Sequence, residues 1–73
     1  MPAYRTSRAR LLQEAKGRGL GSLVKAARAA GFTAPWFAVN GEYAYVLEPE
    51  PVDPIPEGWE EVPEETVLAL IGG

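Results

Sequence analysis

Apolar and polar positions along this chain change period twice, and each change marks a new kind of element. In "TSRARLLQEAKG", Ala9, Leu11, Leu12 and Ala15 recur at helical spacing, after a capping Ser7 or Thr6 and before Lys16 and Gly17. "GRGLG" interrupts that pattern as a flexible connection. "SLVKAARAAGF" resumes it, with Ser22 as cap, Leu23, Val24, Ala27 and Ala30 facing inward, and Gly31-Phe32 placed for a Schellman ending. The alanines permit close packing, so the two helices are expected as an antiparallel pair.

From Trp36 the period drops to two. "WFAVNGEYAY" reads as two strands around Asn40-Gly41, the preferred pair for a type I′ turn. That turn sets Val39 opposite Glu42, Ala38 opposite Tyr43, Phe37 opposite Ala44 and Trp36 opposite Tyr45. Alternation then puts Phe37, Val39, Ala44 and Val46 on one face, and Trp36, Ala38, Tyr43, Tyr45 and Leu47 on the other. Beyond the hairpin, "EPEPVDPIPEG" is extended and stiff, with five prolines between residues 49 and 63. "WEEV" is a candidate third strand. "PEETVLALIGG" predicts a closing helix with Pro63 at its start, Glu64 and Glu65 suited to the dipole, and Gly72 at its end, although residues 66–71 also suit a strand.

The pattern therefore predicts an α+β fold: two N-terminal helices, a small antiparallel sheet, and a C-terminal helix. At 73 residues it forms one small domain, with a basic helical part (1–34), a hairpin (35–48) and an acidic Pro-rich segment with the last helix (49–73). There is no cysteine and no histidine, which excludes disulfides, the usual zinc sites and Cys–His or Ser–His–Asp catalysis. No cofactor or metal is expected. The longest apolar run, "VLALI", is too short for a bilayer, and "MPAYRTSRAR" lacks the apolar core of a signal peptide. A soluble, cytoplasmic protein is the expectation.

Charge alters the picture more than composition does. Residues 1–41 hold all seven basic side chains and one acid, a balance of +6, whereas residues 42–73 hold nine acids and no base, a balance of −9. Either the halves fold against each other or they present surfaces of opposite sign. Arg8 and Arg10 sit in a first helical turn, where the dipole disfavours them. Glu57, Glu60, Glu61, Glu64 and Glu65 form an acidic strip without a neighbouring nucleophile or metal cage, so catalysis is not expected. Gly17-Arg18-Gly19 lacks the Lys-Ser/Thr of a phosphate loop.

Asn40-Gly-Glu42, then Leu47 and Pro49, then Pro56-Glu-Gly58-Trp59, then "VLALI" together resemble the MbtH-like family over about half the chain. That family's Ser-Leu-Trp core and C-terminal Trp-Thr-Asp are absent here. The resemblance implies a three-stranded sheet with a helix against it. MbtH-like proteins bind and activate the adenylation domains of peptide synthetases. In overall style the chain is also similar to small phage-encoded regulators that bind host RNA polymerase.

These readings converge on a non-enzymatic regulator that docks on a larger enzyme. Trp36, Tyr43, Tyr45 and Trp59 would anchor it, and Arg5, Arg8, Arg10, Glu57, Glu60 and Glu61 would orient it. Against this stands burial of the aromatic face by the tail, with Trp59 and Ile55 completing a second small core. The alternative function is a winged-helix-like nucleic-acid binder using Arg10, Lys25 and Arg28, although its second helix is mostly alanine and its hairpin tip is acidic. A third class is a module whose charges only satisfy each other. Dimerisation through the aromatic face is left open.

Overall fold

The computed structural model describes residues 1–72. Its elements run β1 (Ala3–Ser7), α1 (Arg8–Gly17), α2 (Leu23–Ala30), β2 (Trp36–Asn40), β3 (Tyr43–Leu47), β4 (Trp59–Val62) and α3 (Glu64–Gly72). The four strands form one antiparallel sheet in the order β2-β3-β1-β4.

The expected arrangement is thus corrected at its start. A strand precedes the two helices, and it lies in the middle of the sheet between β3 and β4. Five residues, "AYRTS", are too few to display a period of their own. Their conformation is set by neighbours on both sides, from Ala3 against Leu47 and Val62 to Thr6 against Ala44 and Trp59. This central strand also interleaves the basic and acidic halves of the chain.

The hairpin register is corrected as well. Asn40 pairs with Tyr43, Val39 with Ala44, Ala38 with Tyr45, Phe37 with Val46 and Trp36 with Leu47. The two turn residues are Gly41 and Glu42, and of the pair only Gly41 has positive φ, at 62°. Glycine at the first central position marks a type II′ turn. The slip moves each partner by two residues, so every side chain keeps its face.

Three helix boundaries have a local cause. Ser7 Oγ accepts from Arg10 N at 3.4 Å and caps α1, and Ser22 Oγ accepts from Lys25 N at 3.3 Å and caps α2. At the end of α2, Phe32 N–H donates to the Ala27 carbonyl and Gly31 N–H to Arg28, the two bonds of a Schellman ending. Gly17, expected after α1, is its last residue.

Helices cover the sheet on both faces, but unequally. On one face, α1 and α2 seal Tyr4, Ala44, Val46 and Trp59 beneath Leu11, Ala15, Ala26, Ala27 and Phe32. On the other, α3 lays Val67 and Leu70 over Ala3, Tyr45, Leu47 and Val62, with Trp36 at the border. The Tyr4 hydroxyl accepts from Val52 N at 2.8 Å and ties the Pro-rich segment to the first core.

Candidate docking face

On the α3 side, the registers align side chains in rows across the strands. The first row is Trp36, Leu47, Ala3 and Val62. The second is Ala38, Tyr45, Arg5 and Glu60, and the third is Asn40, Tyr43 and Ser7. The residues α3 packs against are the first row and Tyr45. With nine residues α3 spans ~13 Å, and its buried contacts end within the second row. The remainder of the face grades from apolar to polar toward the hairpin turn.

Tyr43 stands at the open end with 36% of its surface exposed, whereas Tyr45 beside it retains 7%. Their ring centroids lie 6.3 Å apart at 55°. The Arg5 guanidinium sits 4.3 Å over the Tyr43 ring, within the range of a cation–π contact, and 3.6 Å from the Glu60 carboxylate. The neighbouring Tyr45 side chain, followed by the Glu60 charge, holds the Arg5 pKa above its ordinary value. Arg5 Nε is buried without a hydrogen-bond partner among the described residues. The patch is therefore an aromatic ring with a fixed cation and acid beside it, bordered by half-buried Trp36.

The structure divides the expected anchors. Trp36 and Tyr43 share this face, but Tyr45 is sealed by α3 and Trp59 belongs to the opposite core, 8% exposed, with its ring 4.4 Å from Phe32. Trp59 cannot complete a core with Ile55 on the aromatic face, and Ile55 is exposed. The physical reason is parity: Trp59 pairs with Thr6, and both point toward α1 and α2.

The charged candidates are dispersed. Arg5 and Glu60 lie in the patch, while the adjacent Glu61 points to the other face and is exposed with Glu57. Arg8 lines an open hollow of about 520 Å³ with Ser7, Ala9, Leu12, Gly41 and Glu42, and its N–H donates to the Glu42 carbonyl at 2.8 Å. Ser7 is occupied as the helix cap, its Oγ accepting from Arg10 N.

Of the three basic residues in the nucleic-acid alternative, two work inside the fold. The Arg10 guanidinium covers Gly58 and lies 3.6 Å from Glu14. Arg28 donates to the Thr33 and Ala34 carbonyls at 3.3 and 3.4 Å. Lys25 remains exposed on α2.

Sequence reasoning passes over one buried acid. Glu48 is 2% exposed, and its carboxylate accepts from Thr33 N and Thr33 Oγ1 at 2.9 Å and from Ala34 N at 2.8 Å. It fixes the linker between α2 and β2, where Ala34 has φ of 47°. The signal was available: counting by two from Ala44 and Val46 brings Glu48 to the inward face, and an inward acid needs donors. This is a structural clamp, and it is what aims β2.

Among the described residues, no group of three or more acids could hold a metal ion, and no helix is long and apolar enough to cross a membrane. No protein-family model, no curated protein and no solved structure matches this chain.

Proposed function

We propose that this chain is a non-enzymatic regulator that docks on a larger enzyme or assembly through the half of the α3-side face that α3 leaves uncovered. Tyr43 is the anchor, Trp36 extends the apolar contact, and Arg5 with Glu60 forms a polar rim that fixes orientation. The observation that carries this reading is the short reach of α3, which seals Tyr45 and leaves Tyr43 open in the next row. Tyrosine and tryptophan bury large areas with few rotatable bonds, which makes them frequent hot spots. A fixed cation and acid beside the ring favour a protein surface over a nucleic-acid backbone, because Glu60 and Glu42 repel phosphates. Host transcription machinery is the partner class that the similarity to small phage-encoded regulators puts first.

The test compares wild type with Tyr43→Ala and Trp36→Ala in affinity capture from source lysate, with circular dichroism confirming the fold. Loss of ~2 kcal/mol, about thirtyfold in Kd, is expected at a hot spot. Identical capture by folded Tyr43→Ala would remove the proposal. Salt-sensitive retention of duplex DNA at low ionic strength, lost on Lys25→Ala, would favour the nucleic-acid alternative instead.

A further inference from the structure

The sheet order β2-β3-β1-β4 leaves two outer edges, and they are guarded very differently. β4 has only four residues, carries Glu60 and Glu61, and runs directly into Pro63. Short length, charge and proline are the usual means of blunting an edge. β2 is flanked by Pro35 as β4 is by Pro63, but it is one residue longer and uncharged: no charged side chain occurs between Arg28 and Glu42, and its pairing with β3 is unbroken from Trp36 to Asn40. Four of its five residues are apolar, yet not one is buried, whereas four of the five in β3 are.

Hydrogen-bond phase decides what that edge offers. In a two-residue hairpin the pair flanking the turn exchanges hydrogen bonds, so Asn40, Ala38 and Trp36 bond to β3. Phe37 and Val39 accordingly turn their N–H and C=O groups outward. Two such edges related by a twofold axis through Ala38 match each other: Phe37 of each copy faces Val39 of the other, and four hydrogen bonds form. Ala38 meets its own copy at the axis, in a non-hydrogen-bonded position where side chains come closest and a methyl group fits. On the α1/α2 face, each Val39, 39% exposed in the single chain, gains a Phe37 ring as cross-strand neighbour.

We infer that β2 is a self-pairing edge, and that a second copy of this chain docks there antiparallel to give a continuous eight-stranded sheet. Neutrality favours a second copy. Two uncharged edges meet without like-charge repulsion, although each molecule carries a formal charge of −3. The contact is small, so the dimer is weak and concentration-dependent. It uses the backbone edge of β2 and does not require Tyr43; because Trp36 belongs to both β2 and the docking face, Tyr43 is the position that separates the two proposals.

Sedimentation velocity of the full chain from micromolar to millimolar concentration tests the inference, with amide hydrogen exchange on the same samples. Wild type is expected to shift from monomer to dimer. The Phe37 and Val39 amides gain protection as it does so, while the Ala38 amide, already bonded to β3, does not change. Val39→Pro removes an outward N–H without touching the β2–β3 ladder, and by symmetry deletes two of the four bonds. It should weaken association about tenfold or more. Val39→Lys should act in the same direction by charging the edge, and Val39→Thr should self-associate as wild type does. A wild type that stays monomeric at millimolar concentration overturns the inference, as does a folded Val39→Pro or Val39→Lys that dimerises like wild type. Tyr43→Ala, which tests the docking face, should leave this equilibrium unchanged.

Discussion

Replacing Glu48 with alanine should cost this protein a large share of its stability, although the residue is an acid near a proline-rich loop. Its carboxylate accepts three hydrogen bonds from two consecutive residues. The Ala34 N–H is buried, and leaving it unpaired costs about 1–3 kcal/mol. The two Thr33 donors are partly exposed and reach water in the variant, so each forfeits only ~0.5–1 kcal/mol. Ala34 is also held at φ 47°, a left-handed conformation that costs the wild type about 1–2 kcal/mol, and its relaxation in the variant offsets part of that loss. Together these give a loss of ~3 kcal/mol. A domain of this size has about 4–11 kcal/mol in total, so a fall in Tm of roughly 12–24 °C is expected. Urea unfolding followed by tryptophan fluorescence reads this directly, because Trp59 packs on Phe32 next to the clamped linker. Glu50→Ala, at an exposed position, is the control and should stay within about 0.5 kcal/mol of wild type. If Glu48→Ala proved as stable as Glu50→Ala, the clamp and its role in aiming β2 would both be refuted.

Three further outcomes follow from the same structure. Gly58→Ala should cost about 1–2 kcal/mol because of its φ of 87°; a new Cβ would lie 2.2 Å from the Arg10 guanidinium, but that flexible tip can swing away, so adding Arg10→Ala should not restore stability in a double-mutant cycle. Val67→Ala removes two methyl groups from the most buried position of α3 and should cost ~2 kcal/mol by urea titration, with the loss of the second core visible as greater quenching of Trp36 by iodide. Raising sodium chloride to about 1 M should change stability by less than ~1 kcal/mol, since the ion pairs that join the two halves among the described residues, Met1–Glu64 and Arg5–Glu60, are both partly exposed; a fall of several kcal/mol would favour a module that exists to neutralise its own charges.

What the sequence made legible was local chemistry. Ser7, Ser22 and Gly31 mark helix boundaries by caps that need only a few neighbouring residues, and period-two alternation sorted the hairpin faces even though the register slipped. β1 was not legible, because "AYRTS" has no signal strong enough to outweigh its place before a helix cap. It becomes a strand only when β3 and β4 supply partners from distant sequence. The face of Trp59 is illegible for the same reason: without β1 no strand sets its parity. The charge split leaves open whether the halves fold against each other or present surfaces of opposite sign; the pairing of β1 with β3 and β4 brings them together with few ion pairs. Arg10 and Arg28 read as free cations until Gly58 and the carbonyls of Thr33 and Ala34 came within their reach.

The docking claim meets its most direct test in site-specific photocrosslinking. A photoreactive phenylalanine analogue is placed at position 43, in the uncovered row, and separately at position 65, on the exposed start of α3, and each protein is irradiated in source lysate. The account predicts a discrete high-mass adduct from position 43, absent from position 65 and suppressed by excess unlabelled wild type but not by Trp36→Ala. Equal labelling from both positions, or none from position 43, would contradict it.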